Sequence, residues 1–149
     1  MERYKVLVVD DEINILNTLK RLLRSDDLEV LITTSQGVAL DHLRNSEIAL
    51  ILSDQKMPHM EGTHLLEQAR SLSPKTIRIM VTGYADTQTA MKAINIAGVH
   101  RFLTKPWIDA ELITIVREAV KTYATTVKSG KLLNLLVKRG ELAPEDSLD

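Results

Sequence analysis

An α/β domain built on a five-stranded parallel sheet is predicted by three features of the 149-residue chain. Five short apolar runs alternate with five segments of helical periodicity, the pattern of strands joined by helical crossovers. The runs are rich in Val, Ile and Leu, as strands covered on both faces must be. Four of the five runs end in a reactive polar residue: Asp10-Asp11, Asp54, Thr82 and Lys105. In a parallel sheet those ends share one edge, so the four groups converge although they are far apart in sequence.

Taken in order, Val6–Val9 is the first strand, and Ile15, Leu16, Leu19, Leu22 and Leu23 form the stripe of a helix over about Glu12–Arg24. Leu28–Thr33 is the second strand, followed by a helix over Gln36–Arg44. Ile48–Leu52 is the third, ending at Ser53-Asp54. A loop with Met57-Pro58 and Gly62 leads to a helix over Thr63–Leu72, which Pro74 stops. Thr76–Val81 is the fourth strand, and Asp86–Ala97 a helix closed by Gly98. Val99–Leu103 is the fifth strand. The last strong helix places Leu112, Ile115, Val116, Ala119, Val120 and Tyr123 on one face. The second strand exits at Thr33-Thr34 with no charged group, which suits an edge strand remote from the site. The predicted order is therefore 2-1-3-4-5, a doubly wound, flavodoxin-like sheet with helices on both faces.

The expected domain spans residues 1–125. Residues 126–149 form a helical extension or linker, interrupted at Ser129-Gly130 and ending in an acidic stretch, Glu141–Asp149. The net charge of −1 gives no general pull toward nucleic acid or an anionic membrane. There is no cysteine, which excludes disulfides and thiolate metal sites among these residues. No apolar run approaches the roughly 18–20 residues of a bilayer span, and no leader pattern precedes the first strand. A cytoplasmic protein is expected.

Each polar strand end has a bland reading on its own. Asp11 reads equally well as a helix cap, Asp54 as the start of a turn, and Lys105 before Pro106 as a solvated turn residue. Together they say more. Three clustered carboxylates repel one another unless a cation lies among them, and Mg²⁺ takes a few carboxylates while keeping positions open for phosphate oxygens. Thr82 and Lys105 add a hydroxyl donor and a fixed positive charge, as phosphoryl transfer requires. His42, His59, His64 and His100 have no zinc spacing and are assigned to structure. Gly62 and Gly83 read as turn and close-approach glycines.

The chain resembles the receiver domain of two-component response regulators over residues 3–125. The resemblance rests on Val8-Val9-Asp10-Asp11-Glu12, Ser53-Asp54 with Met57-Pro58 and Gly62, Val81-Thr82-Gly83, and Phe102-Leu103-Thr104-Lys105-Pro106, and on the spacings between them. It implies that Asp54 accepts a phosphoryl group from a sensor histidine kinase or phosphotransfer protein. Asp10, Asp11, Asp54 and the backbone carbonyl of Lys56 would hold Mg²⁺. Thr82 and Lys105 would bind the phosphoryl oxygens, and Phe102 matches the aromatic switch position. Lys56 and Tyr84, with Gly83, fall on the rim, where a bulky and a cationic side chain are expected to slow hydrolysis. The surface implied to report the switch is the fourth helix, fifth strand and fifth helix. The apolar spacing of the last helix predicts a weak homodimer there. The charge balance and lack of an apolar span predict no direct nucleic-acid or membrane binding. The Thr82–Asp86 and Lys105–Trp107 wording resembles receivers joined to HD-type cyclic-dinucleotide phosphodiesterases. The expected role is a signalling switch, not a turnover enzyme. A phosphorylation-independent adaptor is the alternative. An aspartyl phosphatase is a third reading, set back because Lys56 stands where such enzymes carry an acid–base Asp. After Trp107 a capping residue is usual, but here Ile108 precedes Asp109, so Asp109 is expected in the first turn, acting on the helix dipole.

Overall fold

The computed structural model describes residues 3–83 and 87–140. Its elements are β1 (Tyr4–Val9), α1 (Ile13–Leu22), β2 (Leu28–Thr33), α2 (Gln36–Asn45), β3 (Ile48–Asp54), α3 (Gly62–Leu72), β4 (Ile77–Thr82), α4 (Thr87–Ala97), β5 (Arg101–Thr104) and α5 (Asp109–Lys138). The sheet is parallel throughout with order 2-1-3-4-5, the predicted flavodoxin-like arrangement. Element types and most boundaries agree with the sequence reading. The predicted start of α4 at Asp86 lies outside the described residues.

Alternation along each strand divides the core into two layers. Val6, Val8, Leu50, Leu52, Ile79 and Val81 face one way, onto Leu16 and Leu19 of α1 and Leu112, Ile115 and Val116 of α5. Leu7, Val9, Ile51 and Met80 face the other way, onto Leu65, Leu66 and Ala69 of α3 and onto Ala39, Leu43, Ala93 and Ala97. Every residue of β3 is buried, which explains why its sequence reads as a continuous apolar run. Each buried aliphatic side chain contributes about 1.5–3 kcal/mol. This burial fixes register, because a one-residue slip would turn a strand's side chains into the wrong layer.

Register is what positions the strand ends. Val9 lies opposite Ser53, so the next residues, Asp10 and Asp54, leave the sheet side by side. Asp54 pairs with Val81, and Thr82 with Thr104, so Thr82 and Lys105 follow at the same edge.

At the opposite edge Arg78 is 5% exposed and has no carboxylate partner among the described residues. Its guanidinium donates instead to the carbonyls of Thr76 (3.0 Å), Gly98 (3.1 Å) and Pro74 (3.3 Å), joining the loops before β4 and β5. Gly98 adopts φ 61°, a left-handed turn that glycine takes without strain. His100 Nδ1 accepts from the Arg78 backbone N–H at 3.0 Å. Burial, then the charge of Arg78, pushes the His100 pKa down, which keeps the imidazole a neutral acceptor.

α5 departs from expectation. It is a continuous helix of 30 residues, on the order of 45 Å long, and runs through Ser129-Gly130, where an interruption was expected. Glycine costs about 1 kcal/mol in a helix interior. Here Gly130 is buried, and Lys131, Leu132 and Leu133, all good helix formers, follow it. Gly130 and its neighbours in α5 line a cavity of about 420 Å³ together with Leu43, Glu47 and the Leu72–Lys75 turn. Higher up, Tyr123 meets Tyr4 edge-on at 6.2 Å, pinning α5 to β1. Asp109 opens the helix with no side-chain cap from Ile108, as predicted, and accepts from Trp107 Nε1 at 3.0 Å.

Candidate functional site

Asp10, Asp11 and Asp54 each bring a carboxylate oxygen within 4.8 Å of the other two. Asp10 is 3% exposed and Asp54 9%, whereas Asp11 is open to solvent. Asp11 does not cap α1. The cap position is Glu12, which makes no side-chain bond, and its backbone N–H donates to Asp10 Oδ1 at 2.9 Å. Asp10 is thus oriented by the turn, and Asp11 is left facing out.

Lys105 enters from the far side. Its ammonium donates to Asp10 Oδ2 at 2.8 Å and lies 3.5 Å from Asp54 Oδ1. Its backbone N–H donates to the Thr82 carbonyl at 2.9 Å, which ties the ends of β4 and β5 together. The Lys105-Pro106 peptide is cis. Thr82 is 2% exposed. Three carboxylates and one ammonium leave two negative charges uncompensated, and all the anionic donors are oxygens. That set fits a small hard dication such as Mg²⁺.

The electrostatics follow from this crowding. Burial pushes the Asp54 carboxyl above its ordinary pKa, the charge of Lys105 opposes that, and the charge of Asp10 adds to it. The Gln55 backbone N–H, donating to Asp54 Oδ1 at 2.9 Å, favours the ionised form. For Lys105, burial pulls downward, but the hydrogen bond and charge of Asp10, then the charge of Asp54, outweigh it and raise the pKa.

A family model for the response regulator receiver domain matches residues 6–117. The chain belongs to the response regulator receiver family.

Receiver relatives surround it on both sequence and structure. The hydrogenase transcriptional regulatory protein HoxA of Bradyrhizobium diazoefficiens is 37% identical over 118 residues, covering 79% of this chain and 24% of HoxA. The signal receiver domain of an HD domain-containing protein from Pseudomonas fluorescens superposes with a TM-score of 0.80 at 32% identity, covering 86% of this chain and 94% of that one. A CheY-like response regulator receiver domain protein from Methanospirillum hungatei gives 0.78 at 35% identity, covering 83% and 98%. The chain spans about a quarter of the length of HoxA.

The remaining predicted positions of the receiver fall as follows. Lys56 is exposed, immediately after the buried pair Asp54-Gln55. Phe102 is partly buried and packs on the layer containing Leu7 and Met80. Gly83 sits at an exposed bend, and a Cβ there would meet Lys105 Cβ at 4.0 Å, an ordinary contact. Among the described residues, the close approach expected at Gly83 is therefore absent. At Gly62 it is real, since a Cβ would lie 2.2 Å from the Asp54 carbonyl oxygen. Tyr84 lies outside the described residues. None of the four histidines belongs to the acidic cluster.

Sequence reasoning missed Gln55. This receiver buries its side chain to 8% exposure, with Oε1 accepting from Thr63 N (2.9 Å) and Thr63 Oγ1 (3.0 Å). The signal available was indirect: Glu61 at the start of α3 is a poor cap, so another acceptor had to serve that first turn.

Proposed function

We propose that this receiver accepts a phosphoryl group on Asp54 from a sensor histidine kinase or phosphotransfer protein and switches between two conformations. The observation that carries the reading is the Asp10–Asp11–Asp54 cluster with the Lys105 ammonium between Asp10 and Asp54. An Asp54 carboxylate oxygen attacks the phosphorus of a phosphohistidine. The P–N bond breaks, its electron pair goes to the imidazole nitrogen, and an acyl phosphate forms on Asp54. Asp10, Asp11, Asp54 and the Lys56 carbonyl would hold Mg²⁺, which when bound supplies charge neutralisation for the transferring oxygens. The Gln55 N–H orients the attacking carboxylate. Lys105 would move from its carboxylate partners to a phosphoryl oxygen, and the Thr82 hydroxyl would take another.

The phosphoryl group adds about −1.5 to −2 charges. It biases an existing equilibrium only through bonds formed in one of the two states, here those of Thr82 and Lys105. Phe102, partly buried on β5, would follow Thr82 inward. The switch then reaches an output domain or partner, and the rim residues Lys56 and Tyr84 would shield the acyl phosphate from water.

Acetyl phosphate tests the reading. Added mass on Asp54 that needs Mg²⁺, decays slowly and is abolished in Asp54→Asn is the expected result. No added mass would favour the phosphorylation-independent adaptor, and rapid multiple turnover would favour a phosphatase.

Self-association through α4, β5 and α5 belongs to the same proposal. Met91 and Ile94 of α4 are 56% and 52% exposed, and β5 is an edge of the sheet. Sedimentation is expected to show weak dimers tightened by a phosphoryl mimic. Identical monomers with and without the mimic would reject this.

A further inference from the structure

We propose that Gln55 is the positioning residue of the metal site, acting by closing the neck of the loop that follows Asp54. This rests on the Mg²⁺ site proposed above and adds to it a residue that touches neither the metal nor the phosphoryl group.

Gln55 connects to the site and to the scaffold through separate atoms. Its backbone N–H holds Asp54 Oδ1 at 2.9 Å, and its carbonyl accepts from Gly62 N at 2.9 Å. Its side-chain oxygen accepts from both the N–H and the hydroxyl of Thr63. Residues 56–61 therefore form a six-residue loop whose two ends are joined by three hydrogen bonds made by one residue. Lys56, whose carbonyl is the proposed metal ligand, is the first residue inside that loop.

The helix side of the neck has no substitute. Glu61 provides no side-chain cap to α3, so the Thr63 N–H, in its first turn, relies on Gln55. Thr63 is 4% exposed, which shuts out water as a ready replacement. Removing the Gln55 amide would orphan two buried donors at once, and the loop end would shift until they found partners. A shift there is transmitted to the Lys56 carbonyl and, through the Gln55 N–H, to the Asp54 carboxylate. Groups that orient metal ligands in this way typically matter about 10–100-fold in affinity.

The discriminating variants are Gln55→Met, which keeps length but has no acceptor, and Thr63→Val, which keeps the branched shape but loses only the hydroxyl. Calorimetric titration of Mg²⁺ is expected to show its Kd raised about tenfold in Gln55→Met and about threefold in Thr63→Val. Phosphoryl acceptance from acetyl phosphate should fall in both variants at limiting Mg²⁺ and recover in part as Mg²⁺ is raised, because the metal ligands themselves remain. Hydrogen exchange at the Gly62 and Thr63 amides should quicken in Gln55→Met while β3 amides stay protected. A purely structural role would lower the melting temperature and leave the Mg²⁺ Kd unchanged, and that result overturns the inference while the phosphoryl-acceptor reading stands. If Gln55→Met does not fold, the Thr63→Val titration decides alone, and an unchanged Kd overturns the proposal. A parent that binds no Mg²⁺ yet still gains mass on Asp54 would sink the neck model and spare the acceptor. A parent that does neither would sink both.

Discussion

Lys105→Met is expected to cost about 2–3 kcal/mol of stability at neutral pH without divalent metal, and to slow phosphoryl acceptance by about two to three orders of magnitude. The ammonium is the only cation within ion-pair distance of Asp10 and Asp54 among the described residues. Both carboxylates are buried, and breaking such a pair leaves charge without compensation, for which about 3–5 kcal/mol is usual. The smaller figure reflects the 20% of the Lys105 side chain that remains exposed. The pH dependence gives the sharper check. A carboxyl whose pKa rises on folding, as at Asp54, binds its proton more tightly in the folded state. Its penalty grows as pH climbs from the unfolded value, about 4, through the folded one, and is complete above it. Lys105 has the opposite sense: its raised pKa contributes stability below the ordinary lysine range that is lost only in strong alkali. Removing it raises the Asp54 pKa further, so the deficit of Lys105→Met should shrink as pH falls from neutrality toward 4. Added Mg²⁺ should recover part of it at neutral pH, since three carboxylates then face the ion unopposed. Melting curves showing the same deficit at both pH values would refute this account.

How far the sequence could be read depends on whether a residue's position is set by periodic structure or by a single turn. Asp10, Asp54, Thr82 and Lys105 were legible because each ends a buried strand, and parallel pairing carries the ends to one edge: Val9 opposite Ser53 and Thr82 opposite Thr104 leave little freedom. Loop geometry was not legible. Nothing in a polar residue after Asp54 says that its side chain folds back onto Thr63. Nothing distinguishes Gly62, pressed on backbone, from Gly83, where a Cβ would meet only Lys105 Cβ, at 4.0 Å, among the described residues. The bland sequence reading makes Asp11 the cap and Asp10 its exposed neighbour, whereas one hydrogen bond from the Glu12 N–H makes Asp10 the residue that orders the turn into α1. The continuity of α5 was misread for another reason. Local propensity penalises Gly130, while burial against the body of the domain is a tertiary effect that outweighs it. Placing a domain limit near residue 125 remains a proposal, since the helix itself continues to Lys138.

Gly62→Ala sets two opposing effects against each other, and magnitude decides between them. Glycine within a helix is worth about 0.5–1 kcal/mol less than alanine, so helix propensity alone favours the substitution. Gly62 is not in the left-handed region, so its backbone conformation would accept alanine. The obstacle is space. The new methyl would lie 2.2 Å from the Asp54 carbonyl oxygen and 3.0 Å from both the Asp54 carbonyl carbon and Gln55 Cα. All three are backbone atoms of a buried strand end, and none can swing aside as a flexible side chain would. Relief requires the start of α3 to back away, stretching the 2.9 Å bond from Gly62 N to the Gln55 carbonyl. Overpacking of this kind costs about 1–3 kcal/mol, and loss of the neck bonds adds about 1 kcal/mol more, so a net destabilisation of about 2 kcal/mol or more is expected. Gly37→Ala in α2 is the matched control. Its methyl would meet only Ser35 Oγ, at 3.6 Å, and it should stabilise by about 0.5 kcal/mol. Urea unfolding of the two variants reads both signs. Mg²⁺ affinity should fall in Gly62→Ala and stay constant in Gly37→Ala, because only the first displaces the backbone that carries Asp54 and Lys56. A Gly62→Ala protein as stable as the parent would mean that α3 can slide off the end of β3 at little cost. The contact between them would then be incidental to how the carboxylates are held.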